Sequence, residues 1–123
     1  MMTNPLRDRW RRGLLAFQGV YYLLTGLWPL VHMSSFEAVT GPKTDDWLVR
    51  TVGLLAAAIG ATLGVAAARQ QTRAPEVVVL AAGAAFAFGA IDLWYGLSGR
   101  ISPIYLADAA VQLGLIALLA LRV

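Results

Sequence analysis

Four apolar runs, at residues 13–33, 47–68, 77–97 and 101–121, alternate with short polar connections and follow a basic N-terminal arm. Each holds about 20 residues, enough to cross about 30 Å of hydrocarbon at a helical rise of about 1.5 Å per residue. The second, third and fourth runs lack the polar stripe that every helix of a soluble bundle shows. The pattern predicts an all-α integral membrane protein. One domain over residues 1–123 forms a four-helix bundle in up-down-up-down order.

The first run is the most polar of the four. Gln18, Tyr21, Tyr22, Thr25, Trp28 and His32 recur at spacings of three, four and seven, which places them on one helix face. That face is expected to look into the bundle, because lipid offers no partner for Gln or Tyr. Gly19 and Gly26 lie near its edge and admit a neighbouring backbone at close range. Pro29 removes a backbone donor and predicts a kink or change of direction one turn before the helix ends.

In the second run, Gly60 and Gly64 form a G-x-x-x-G extended by Ala68, with Gly53, Ala57 and Ala61 repeating the interval beside it. Ala85 and Gly89 make a second small pair in the third run. Small residues at this interval let helices pack closely. The partner of the second run is either the third run or a second copy of the chain. A homodimer, or association with a larger membrane complex, is therefore expected.

The connections carry turn and cap chemistry. Ser34 with Glu37 matches a capping box and predicts a short interfacial helix, broken by Thr40-Gly41-Pro42. Asp45 or Asp46 suits the N-cap of the second span, and Pro75 with Glu76 suits the start of the third. Pro103 suits the first turn of the fourth.

Composition agrees with the pattern: 59% of residues are hydrophobic and 14% charged, and the mean hydropathy is +0.65. The net charge of +3 would permit nucleic-acid binding, but the placement of the charges points elsewhere. Arg7, Arg9, Arg11 and Arg12 precede the first span, Arg69 and Arg73 separate the second and third, and Arg122 follows the fourth. Lys43, Arg50 and Arg100 fall at the opposite ends of the spans. This asymmetry predicts that both termini and the middle loop are cytoplasmic, and it assigns the basic excess to topology and anionic lipid rather than nucleic acid. Trp10 among the arginines suits an interfacial anchor. The first run is longer than a signal-peptide core and no A-x-A pattern follows it, so it is read as a retained span. Arg-, Ala- and Gly-rich usage with a single lysine suggests a GC-rich bacterium, and the spans are then expected in its inner membrane. The absence of cysteine excludes thiol relays, Cys-ligated metals and disulfide chemistry.

Two carboxylates, Asp92 and Asp108, lie inside apolar runs on either side of the turn at residues 98–102. Ionisable groups at membrane depth are costly and normally face a bundle interior with a partner. In the predicted topology, Asp92, Asp108, Arg50, His32, Trp28, Tyr95, Tyr105 and Gln112 converge on one layer near the extracytoplasmic face. One outcome is structural: Arg50 bridges the two aspartates and clamps the helices. The other is a binding site for a small lipophilic or cationic ligand, lined by those eight residues, because two aspartates against one arginine leave a charge to be neutralised. Asp92, Asp108 and His32 also have the chemistry for acid–base catalysis on a lipophilic substrate, and a small proton-coupled transporter is a third reading. With one histidine and no cysteine, neither a metal nor a cofactor is expected.

The four-span layout, together with Gly13, Gly19 and Gly26 of GLLAFQGVYYLLTGLW, resembles small bacterial membrane proteins of the DoxX-like kind. The resemblance implies the four-span fold and assigns no site residue. The expected function is a small binding or accessory membrane protein with a polar layer near its outer face.

Overall fold

The computed structural model describes residues 5–121, with side chains described for residue 6 and residues 8–120. Arg122 and the side chain of Arg7, both used above to orient the chain, lie outside these. The described chain is all-helical: α1 (Pro5–Val31), α2 (Met33–Thr40), α3 (Asp46–Ala68), α4 (Pro75–Leu97) and α5 (Ile104–Leu121). Three stretches are long and apolar enough to cross a membrane, Asp8–Val31, Asp46–Ala68 and Pro75–Leu97.

The fourth expected span is shorter than its apolar run. Ser102 and Pro103 delay the helix until Ile104, and the apolar helix Ile104–Ala120 follows. Its 17 residues reach only about 26 Å at about 1.5 Å per residue. The basic arm, conversely, is helical from Pro5, so α1 begins well before the first apolar run.

α1 and α3 pack backbone to backbone. A Cβ placed on Gly19 would lie 2.8 Å from the Gly60 carbonyl oxygen, and one on Gly26 would run into that of Gly53. No side chain larger than hydrogen fits at these crossings, so the glycines of both helices set the distance between them. The partner of the Gly60/Gly64 face is thus α1 of the same chain, neither of the two partners expected from sequence. Below this seam, Leu14, Leu15, Leu63, Ala67, Ala81 and Leu119 form the apolar core. α5 packs on α4 by a similar device, since Cβ atoms on Gly89 and Gly96 would lie 3.2 Å from the Gln112 Cβ and 2.7 Å from a Leu106 methyl.

The helix ends fix which segments meet. At one end Arg11 Nε donates to the Thr72 carbonyl and Arg12 Nε to the Ala67 carbonyl, both at 2.9 Å. Asp8 pairs there with Arg73 at 2.7 Å. At the other end α1 continues through Pro29, breaks at His32 and turns into α2. The break lies slightly later than the proline predicts. His32, not Ser34, caps α2: its Nδ1 accepts from the Ser35 N–H at 3.2 Å. Lys43 closes this corner, donating to the Thr40 and Gly41 carbonyls and lying over the Tyr105 ring of α5, 5.4 Å from its centroid.

Outward faces are apolar. Leu24, Leu54, Leu55, Val79, Phe86, Ile91 and Leu97 are all more than half exposed. A soluble surface seldom carries so much contiguous apolar area, whereas a lipid-facing one requires it.

Candidate functional site

The polar groups of the interior gather where α1, α4 and α5 meet. Gln18 and Tyr22 are one helical turn apart on α1 and both fully buried, as is Gln112 on α5. Gln18 Nε2 donates to the Ala81 carbonyl of α4 at 2.9 Å and to the Tyr22 hydroxyl at 3.2 Å. Tyr22 in turn donates to Gln112 Oε1 at 2.6 Å. Gln112 Nε2 lies 3.4 Å from each carboxylate oxygen of Asp108, one turn earlier on α5. Tyr21 donates to Asp108 from α1. The donors therefore run in one direction, from Gln18 through Tyr22 and Gln112 to Asp108, where Tyr21 adds a second from the side.

Asp92 of α4 completes the group. It is 6% exposed, and its carboxyl group neighbours that of Asp108. Its Oδ2 is buried with no partner. Gln18 Oε1 is also buried and unpartnered. Aromatic rings wall the site: Phe88 meets Tyr22 edge to face at 5.3 Å between centroids, and Phe17 stacks on Tyr21 at 5.8 Å.

Of the eight residues expected in the layer, the structure brings three together: Asp92, Asp108 and Gln112. Arg50 is exposed, and the Arg73–Asp8 contact is the ion pair found among the described residues, so Arg50 does not bridge the aspartates. His32 is exposed and committed to the α2 cap, and Trp28 Nε1 donates to the Ser35 hydroxyl at 2.8 Å while its ring meets Phe36. Tyr105 is half-buried beneath Lys43, and Tyr95 is half-buried.

Depth explains the difference. Asp92 lies five residues before the end of α4, but its neighbourhood on α1 is Tyr21, ten residues before Val31. At about 1.5 Å per residue, Trp28 and His32 stand about 10–17 Å further along α1. α1 thus reaches past the site, and α2 sits over its end.

Sequence reasoning placed Gln18, Tyr21 and Tyr22 on an inward face without assigning them to the site. They fall at i, i+3 and i+4 on α1, and Tyr105, Asp108 and Gln112 fall at i, i+3 and i+7 on α5, both sets keeping to one face at the helical period. Two polar stripes of equal period in an apolar chain are the signal that could have paired them.

What the arrangement can do chemically is narrow. It holds two carboxyl groups, two phenols and two carboxamides, with no cation or nucleophile among them. Among the described residues no cluster of three or more potential metal-binding side chains occurs. The chain matches no family model, no curated protein and no solved structure, so the likeness to DoxX-like proteins rests on span layout and the glycines of α1 alone.

Proposed function

We propose that this chain is a small binding or accessory protein of a bacterial inner membrane. Its four helices run up-down-up-down with both termini cytoplasmic, and the Asp92–Asp108 pair is a helix clamp that holds one exchangeable proton. The observation that carries the reading is a buried carboxyl group, Asp92, beside a half-buried one, Asp108, with no ion pair to either among the described residues. Two adjacent carboxylates at membrane depth cannot both stay ionised without a cation, and one proton between them supplies the missing donor.

The hydrogen bonds support one position for that proton. Asp108 accepts from Tyr21 and faces the Gln112 amide, as an ionised carboxylate does. Among the described residues no donor meets Asp92 Oδ2, which suits a carboxylic acid rather than a carboxylate at Asp92. The net charge of the site is then one negative, delocalised along a chain of polarised donors.

Orientation follows from the charges. The end that carries Arg9, Arg11, Arg12, Arg69 and Arg73 is assigned to the cytoplasm, and the α2 corner to the outside. α5 is assigned as the fourth span, its short length met by local thinning of the bilayer. An enzyme using His32 finds less support, since that imidazole caps α2 well away from the aspartates.

Thermal melting in detergent tests the clamp. Asp92→Asn keeps a donor facing Asp108 and should melt within about 0.5 kcal/mol of the parent, the range of a neutral substitution. Asp108→Asn weakens the charge-assisted bonds from Tyr21 and Gln112 and should cost about 1–3 kcal/mol. If Asp92→Asn proves the more damaging of the two, the assignment of the proton is wrong.

A further inference from the structure

Arg11 is the most deeply buried cation of the described chain, at 3% exposure, and its topological role does not require burial. Only its Nε has a described partner, the Thr72 carbonyl, and its Nη1 is buried without one. A buried guanidinium with an unused donor is costly unless an anion completes it, and the nearby Asp8 carboxylate pairs with Arg73 instead.

The surroundings say which kind of anion. Arg11 and Thr72 stand at the edge of an apolar groove of about 150 Å³ between α1, α4 and α5, lined by Leu15, Ala81, Ala82, Ile116 and Leu119. At Thr72 this groove adjoins a polar cleft of about 450 Å³, lined by Arg9, Arg12, Gln71 and Arg73 along with Asp8. A tail-sized apolar slot thus opens beside an arginine-rich bowl, with the buried Arg11 guanidinium and its unused Nη1 between them. Neither a free phosphate nor a neutral lipid matches both halves.

We propose that this groove binds one acyl chain of an anionic glycerophospholipid, whose phosphate meets the Arg11 guanidinium and whose head group occupies the polar cleft. Basic pockets between helices at a membrane surface recognise such head groups by charge, and the acyl chain supplies apolar burial. The site lies at the opposite end of the bundle from the carboxyl pair and is independent of it.

Native mass spectrometry of the full chain in neutral detergent, titrated with phosphatidylglycerol or phosphatidylcholine of equal chain length, tests this. One phosphatidylglycerol should bind at least about fivefold tighter than phosphatidylcholine. Arg11→Gln should abolish the preference. Because that change also removes the Thr72 contact, Ala82→Phe provides a second variant, filling the groove without touching the arginine; it should abolish the preference as well. Arg69→Gln lowers the charge of the same end equally but lines neither cleft, and should retain the preference. Equal binding of the two lipids, a preference that survives Ala82→Phe, or displacement of the bound lipid by inorganic phosphate alone would each overturn the proposal.

Discussion

Single residues decide the interior of this protein because each polar atom there has few alternatives. Tyr22 is the clearest case: its hydroxyl accepts from Gln18 and donates to Gln112, joining α1 to α5. Tyr22→Phe leaves a buried amide on each side short of a partner and is expected to cost about 1–3 kcal/mol in thermal or denaturant unfolding. A loss below a few tenths would mean that water or lipid carries those bonds. Gln70, in the turn after α3, has a φ of 59°, a left-handed conformation that glycine adopts freely. Gln70→Gly should raise stability by up to about 1 kcal/mol, the usual strain of that conformation in a residue with a Cβ. Asp92 and Asp108 were legible as residues worth explaining, because carboxylates in apolar runs need partners. Their partners were not legible. A sequence shows that Arg50 lies at a comparable depth, but not that the α1–α3 seam turns it to the surface.

At the scale of elements, glycines fix the α1–α3 crossing and a carboxyl contact tunes the α2 corner. Gly26→Val should abolish folding into the native bundle or lower the melting temperature steeply, since its side chain would meet the backbone of α3. Gly83→Ala, where a Cβ meets nothing within 4 Å, should be tolerated. The small-residue periodicity was plain in the sequence, yet its partner was not, because any glycine face fits any other. At the α2 corner, the Glu37 carboxyl is raised above its ordinary value of 4.5, first by hydrogen bonding to the Asp46 carboxyl and then by burial. Lys43 opposes the shift. A folded-state value above the unfolded one means that the contact stabilises at acidic pH and loses that contribution as pH rises through the raised value. Hydrogen exchange of the α2 amides should therefore quicken as pH climbs out of the carboxylate range, beyond the intrinsic rate change, and Glu37→Gln should remove that excess. Equal pH dependence in both proteins would contradict the contact.

The whole molecule was the most legible level. Apolar runs of spanning length forecast an all-helical membrane chain, and the structure has three such helices with a shorter apolar fourth. Apolar length overstates that fourth helix because Ser102 and Pro103 are too weakly polar to end a run, yet the helix starts only after them. The proposed orientation rests on the arginines gathered at one end of the helices. The chain has no cysteine, so single cysteines report it cleanly. In intact cells, an impermeant thiol reagent should label Pro42→Cys and should reach Gln71→Cys only after the membrane is opened. The reverse pattern would invert the assigned topology and move the lipid groove to the other leaflet.

The central claim is that one proton is shared between Asp92 and Asp108 in the closed bundle. Infrared spectroscopy of the protein in lipid vesicles at neutral pH reads this directly, through the carbonyl stretch of a protonated carboxyl group. The account predicts such a band in the parent protein, shifted when the aspartates carry a carbon-13 label and lost in Asp92→Asn. A spectrum with only ionised carboxylates, or a band that persists unchanged in Asp92→Asn, would contradict it.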